Sequence, residues 1–217
     1  MAKKTESVVA EIRPLEIKKV DIKIVGDSPL IVHAWDEKTK REMLEKQMKI
    51  TKTKSKDARD PYRDFVNSMY WLTKKPEPTP ESFEEAVKDG AKWGFPVCAV
   101  KQSANSSAYR LGWVKNQMEL RGSYFLETEF GNMFEIQGCI PEIREDMVRI
   151  SGGTADIRYR AEFKNWYAEM TLNYNASGNL TLEQILNCIN AGGYCCGLGE
   201  WRPEKDGDYG RYHIETI

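Results

Sequence analysis

The sequence predicts an α+β fold, and the C-terminal quarter of the chain carries the clearest signals. Apolar side chains alternate from Trp166 to Tyr174 in the segment WYAEMTLNY, which is typical of a half-buried strand. Thr181 and Gln184 then form a capping-box pattern that predicts the start of a helix. We expect Gly192 and Gly193 to end that helix. A glycine-rich loop and a last strand over 211–217 follow.

This order of strand, helix, loop and strand corresponds to one split βαβ half of a ferredoxin-like unit. Ile17 to Val25 alternates between apolar and charged residues and predicts the first strand of the other half. The segment FPVCAVKQSANSSAYRLG has helical periodicity and small side chains, which allow close packing, and it predicts the matching helix. The sequence therefore predicts one domain over residues 1–217, with residues 36–96 as a helical and loop insertion.

The insertion and the segment that follows the small-residue helix contain further predicted elements. Asp36 can cap a charged helix, and a second helix is predicted from Tyr62 to Leu72. Thr79 suits the N-cap of a short helix through Val87, because proline follows it at the first helical position. The segments YFLETEF and MFEIQG predict strands within residues 123–150.

Composition limits the classes of protein to consider. A chain of 217 residues can bury a sizeable core without disulfides. Its five cysteines include the adjacent pair Cys195 and Cys196 and form no CxxC motif, so we interpret them as reduced thiols in a cytoplasm. No signal peptide or membrane span is predicted. Because the net charge is −1, any basic surface for nucleic acid must be local.

The first candidate site is the segment with Arg158, Tyr159 and Arg160, followed by Lys164 and Trp166. On an extended segment both arginines share one face, where guanidinium groups can pair with phosphates while aromatic rings stack on bases. The alternative is that the arginines balance carboxylates elsewhere in the fold. Both interpretations stay open from the sequence.

Two further candidates are the glycine-rich loop and the small-residue helix. Arg202 within the loop and Arg211 directly after it supply positive charge, and the glycines let backbone N–H groups approach an anion. The alternative is a structural turn, since four acidic residues dilute its charge. The helix offers Lys101 and Arg110 to a nucleic-acid backbone, and close packing on a sheet with solvated basic residues is equally consistent.

A lysine-rich run supplies the last candidate contacts. Lys49, Lys52, Lys54 and Lys56 lie in a polar stretch without apolar anchors. Such a stretch cannot offset its own ordering entropy, so a mobile loop that orders on a partner is predicted.

Four segments carry a resemblance to known proteins: IVGDSPLIVHAW, GFPVCAVKQSANSSAYRLG, RYRAEFKNW and GLGEWRPEKDGDYGRYHIE. Together they resemble a family of uncharacterised phage and prophage proteins. A more distant similarity is to the RAMP superfamily, the ferredoxin-like RNA-binding subunits of CRISPR effector backbones. That similarity implies an RRM/RAMP-like fold and a nucleic-acid path beside the small-residue helix, where Lys101 meets the nucleic-acid backbone. The superfamily's GxGxxxxxG ending has no clear copy here.

The expected function is non-catalytic binding of single-stranded DNA or RNA, with self-association along the nucleic acid. As a phage protein, the chain is expected to act in the cytoplasm of the bacterial host. Two alternatives remain: a protein-interaction module such as an inhibitor of a host defence complex, and a metal-dependent nuclease with dispersed acids. We predict no catalytic residues, no metal ligands and no cofactor, since no phosphate loop, GxSxG or Cys-His signature occurs. His33 and His213 are interpreted as structural.

Overall fold

The computed structural model describes residues 14–35, 37–50, 58–149, 153 and 155–216. The α+β class is confirmed, and its sheets are antiparallel. The strands are β1 Ile17–Gly26, β2 Leu30–Val32, β3 Tyr70–Trp71, β4 Trp93–Pro96, β5 Tyr124–Glu127, β6 Met133–Ile136, β7 Glu142–Arg149, β8 Ala155–Phe163, β9 Tyr167–Asn175 and β10 Tyr212–Thr216. The helices are α1 Glu37–Gln47, α2 Pro61–Asn67, α3 Pro80–Lys88, α4 Val97–Arg110, α5 Gln117–Arg121 and α6 Leu182–Cys195.

The central sheet has the strand order β10-β1-β9-β5. Ile22 and Ile24 on β1 are fully buried, while the intervening Lys23 lies on the opposite face of the sheet, as period-2 alternation requires. The helices α4 and α6 pack against each other, and α4 is joined to the sheet where the Ser103 hydroxyl meets the Tyr212 hydroxyl at 2.8 Å. This contact fixes one side of α4 to the core and leaves the neighbouring side available to line a cavity.

The helix α6 begins as predicted but ends later than predicted. Thr181 and Gln184 form the capping box. Gly192 and Gly193 do not end the helix, which continues to Cys195. Their lack of a side chain serves packing instead, since a Cβ at Gly192 would lie 2.7 Å from the backbone nitrogen of Ala104. The close approach expected from the small-residue helix α4 is therefore a contact with α6.

A second sheet with the order β2-β8-β7 holds the first candidate site. Arg158 and Arg160 lie within β8, outside the central sheet that contains β9. In the register of β7 and β8, Arg158 lies opposite Asp146 and Arg160 lies opposite Arg144. These side chains therefore lie on the same face of the second sheet. The segment is therefore extended as expected, but it belongs to a different sheet from β9.

The insertion contains strands as well as helices. The helix predicted over Tyr62 to Leu72 is shorter, because α2 ends at Asn67 and β3 follows with Trp71 paired to Trp93 on β4. β4 also pairs with β6, which completes a third sheet. The ring of Phe83 on α3 packs near Trp93 on β4, and Trp93 in turn packs against Phe163 on β8, which joins the insertion to the main core. Most of the described buried apolar side chains of the three sheets belong to one contiguous cluster.

Candidate functional site

A large cavity lies between α4 and the glycine-rich loop, and we call it the α4 cleft. Its volume is about 730 Å³. Polar groups from four parts of the chain line it, among them His33, Gln102, Asn105, Arg121, Glu200 and Arg202. A volume between 300 and 1,000 Å³ is typical of ligand sites, so the cleft has room for a nucleotide-sized group.

Hydrogen bonds hold the glycine-rich loop rigidly against the second sheet. The backbone N–H of Glu200 donates to the carbonyl of Ile31 at 2.9 Å, and that of Gly210 donates to Pro29 at 2.8 Å. Gly199 has a φ of +72°, and a Cβ there would collide with the Ile31 carbonyl. The loop therefore forms a fixed wall of the cleft and requires glycine at this close approach.

Two carboxylates in the cleft are balanced by cations. Glu200 lies 3.8 Å from His33 and 3.6 Å from Arg160, and the polar contact with His33 and the charge of Arg160 keep its pKa below the usual value despite burial. Burial raises the pKa of Glu204, but Arg202 at 3.0 Å and Arg110 outweigh it, so that this pKa is also lowered. Both groups are ionised at neutral pH, and neither leaves an unbalanced negative charge in the cleft.

Arg121 differs from these paired arginines. Its guanidinium donates to the amide oxygen of Gln117 at 2.8 Å, and it makes no ion pair within the part of the chain that the structure describes. The side chain is exposed at the edge of the α4 cleft. An arginine with a neutral partner keeps its full charge for an incoming anion, so Arg121 is suited to contact a phosphate.

A second cavity, of about 380 Å³, adjoins the first, and we call it the Trp35 cleft. His33 lines both cavities. Arg158 and Tyr159 on β8 line the Trp35 cleft, and the ring of Trp35 is 56% exposed. Arg158 lies 3.5 Å from Asp156, and a hydrogen bond with Glu145 raises the pKa of Tyr159. The two clefts therefore meet at His33, and we call the surface that they form together the path.

The outer face of the central sheet is acidic. Asp21, Glu127 and Glu169 line a cavity of about 610 Å³ there. RRM proteins bind RNA on such a sheet face through exposed aromatic rings. Here Lys101 lies 4.3 Å from the centre of the Phe125 ring, and carboxylates surround the cavity. Of the carboxylates that line this cavity, Glu127 pairs with Lys19 at 2.8 Å and Glu135 with Lys92 at 3.0 Å, and the remaining negative charge disfavours a phosphate backbone in the cavity.

The structure corrects the expected common surface of arginines and aromatic rings. Arg160 is only 2% exposed and pairs with Asp146 at 3.1 Å. Trp166 is fully buried, and its indole N–H donates to the carbonyl of Ser28. Neither side chain can contact single-stranded nucleic acid on the protein surface, because the glycine-rich loop and the core cover them.

The remaining predicted contacts are dispersed. Lys164 is exposed but paired with Glu142 at 2.6 Å, whereas Lys101 donates to the carbonyl of Tyr124, and burial lowers its pKa. Arg211 donates to the carbonyl of Asp208 at 3.2 Å. Lys49 is exposed beyond α1, whereas Lys52, Lys54 and Lys56 lie outside the described residues. Of the predicted residues, Arg202, Arg158 and Tyr159 line the path.

Trp35, Asn105 and Glu200 are among the residues of the path that were not predicted as site residues from the sequence. Trp35 follows a short apolar strand, a position that equally suits a core residue. Asn105 interrupts a run of small residues in a helix, which is an unfavourable place for asparagine. This position is the one feature of the sequence that could have indicated a site residue here. Among the described residues, no group of three or more His, Cys, Asp or Glu side chains is arranged to hold a metal ion.

No protein-family model matches the chain. No curated protein matches it either. In the described parts of the chain, no helix has the length and apolar character needed to cross a bilayer.

Proposed function

We propose that this protein binds single-stranded nucleic acid along the path from the α4 cleft, past His33, to the Trp35 cleft. One observation carries the proposal: the exposed ring of Trp35 stands beside two arginine-bearing clefts that share a wall. A ring that is more than half exposed offers a flat face to a base, and stacking of this kind tolerates any sequence. The nucleic acid is DNA or RNA, and the protein is non-catalytic.

The strand order supports the ferredoxin-like, RRM/RAMP-like part of this proposal. Counting only the strands of the central sheet in chain order, their spatial order is fourth, first, third, second. The helix α4 connects the first to the second, and α6 connects the third to the fourth. Two interlocked β-α-β halves of this kind define the ferredoxin-like arrangement. Together with the motif resemblance, this favours a phage protein that acts in the host cytoplasm.

The charges on the path suit a single strand better than a rigid duplex. Arg121 and Arg202 border the α4 cleft, and Arg158 borders the Trp35 cleft. Phosphates placed at these arginines would leave bases free to turn toward the cleft interior and toward Trp35. Stacked bases of a duplex are not free to turn in this way, so unpaired bases are required.

The salt dependence of binding tests the proposal. If three arginines each neutralise one phosphate, the logarithm of the binding constant for a labelled single strand should fall against the logarithm of salt with a slope of about −2. A gel-shift or anisotropy titration over several salt concentrations measures this slope. An absence of binding at low salt, or a slope near zero, would contradict the proposal.

The free edge of β7 supports the self-association that we include in the proposal. In the described chain, β7 pairs only with β8, and Met147 is 77% exposed on it. If two copies pair these edges antiparallel with Met147 opposite Met147, each Glu145 faces the Arg149 of the other copy. The second copy thereby matches the edge in both charge and apolar character.

Met147→Lys should therefore shift the protein toward monomer in sedimentation velocity across a concentration series, because like charges would meet at the two-fold axis. Met118→Lys, at an equally exposed methionine on α5, is the control. Identical monomeric behaviour of all three proteins would exclude self-association through this edge.

A further inference from the structure

Asn105 is the exception among the polar side chains of α4. It lines the α4 cleft although it is only 5% exposed, and its Oδ1 has no hydrogen-bond partner within the described structure. Nearby side chains on the same helix are satisfied, since the Ser103 hydroxyl meets Tyr212 and the Ser106 hydroxyl donates to Glu204. A buried acceptor without a donor destabilises a protein, so this amide gains a partner if its Oδ1, which is covered in this conformation, turns toward a group in the cleft.

An acceptor oxygen restricts what that group can be. Phosphate oxygens only accept hydrogen bonds and would be repelled by Oδ1. A nucleobase carries N–H donors on its edges, and asparagine amides pair with such edges. The cleft volume of about 730 Å³ leaves room for a base. Arg121 and Arg202 also line the cleft and can receive the phosphates that flank this base.

We infer that Asn105 receives the N–H edge of one unstacked nucleobase inside the α4 cleft. This inference rests on the proposed function and adds a defined pocket to it. The strand is then held at two places of different chemistry, a stacked base at Trp35 and a hydrogen-bonded base at Asn105. The first contact is indifferent to the base edge, whereas the second depends on it.

The test combines the variant Asn105→Leu with two DNA strands of equal length, one normal and one in which every base is replaced by an abasic residue. DNA lacks the 2′-hydroxyl, so the base is its main source of donors. We expect Asn105→Leu to weaken binding of the normal strand by roughly three- to tenfold, which is the effect of one hydrogen bond, and to leave binding of the abasic strand unchanged. Ser107→Ala, which alters a fully buried side chain of the same helix outside the cleft, should leave both unchanged.

Folding offers an independent readout. Since Asn105→Leu removes an unpartnered buried acceptor, its melting temperature without nucleic acid should be at least that of the wild type. If leucine does not fit, Asn105→Ala provides the same comparison with a smaller side chain.

Each other outcome overturns the inference. An equal loss on both strands would assign the contact to the backbone, and no loss on either strand would make Asn105 a structural residue. In both cases salt-dependent binding by the wild type would still support the proposed function. Failure of the wild type to bind any strand at low salt would remove both proposals together.

Discussion

Replacing Trp35 by alanine should weaken binding of a single strand by about 1 to 3 kcal/mol, which is roughly five- to hundredfold, because base–aromatic stacking contributes that much per base. The ring is 56% exposed and is absent from the hydrophobic core. The free energy of unfolding should therefore change little. Fluorescence anisotropy with a labelled oligonucleotide measures the binding, and a urea titration measures the stability.

Trp113 supplies the matched control for this prediction. Its ring is 53% exposed, and it lines neither the α4 cleft nor the Trp35 cleft. Trp113→Ala should bind the strand as the wild type does. If both variants bind equally well, the path does not run past Trp35, and if Trp113→Ala alone is impaired, the path lies on the other side of α4.

Replacing Arg160 by alanine should destabilise the fold by about 3 kcal/mol, the lower end of the range for breaking a buried ion pair. The side chain is nearly inaccessible, and its guanidinium connects the buried Asp146 at 3.1 Å with Glu200 of the glycine-rich loop at 3.6 Å. The loss stays at the lower end because Arg144 still pairs with Asp146 at 2.8 Å. Chemical denaturation with urea measures the difference.

Arg158→Ala is the control on the same strand. Arg158 is partly exposed and lies 3.5 Å from Asp156, and ion pairs of this kind contribute at most about 1 kcal/mol. Arg158→Ala should therefore have a larger effect on the binding of single-stranded nucleic acid than on the free energy of unfolding. Equal destabilisation by the two variants would contradict the different burial of the two arginines, and an unchanged stability of Arg160→Ala would show that its ion pairs do not hold the loop.

The two arginines also explain why the candidate site was only partly predictable. Nothing in the sequence distinguishes Arg158 from Arg160, since they are two residues apart and lie on the same face of an extended segment. Burial separates them, and burial is decided by the loop that carries Glu200, forty positions away along the chain. Local pattern contains no information about which distant loop covers which arginine.

The path itself is likewise a product of distant contacts. His33 follows β2, Asn105 lies on α4, and Arg202 belongs to the glycine-rich loop, yet the three side chains line one cleft. Each residue type is ordinary in its own segment. Their meeting depends on hydrogen bonds such as that from Glu200 to Ile31, which fix the loop across the second sheet.

The sequence by itself determined the α+β class, the first and last strands, the capping box of α6 and the close-packing role of the small residues in α4. These features depend on side-chain periodicity and on bonds between residues a few positions apart, so they are readable locally. Only the tertiary structure decided that Gly192 and Gly193 lie inside a helix and that Trp166 belongs to the core. The physical reason is that burial and close approach are properties of the partner surface, which the rest of the chain supplies.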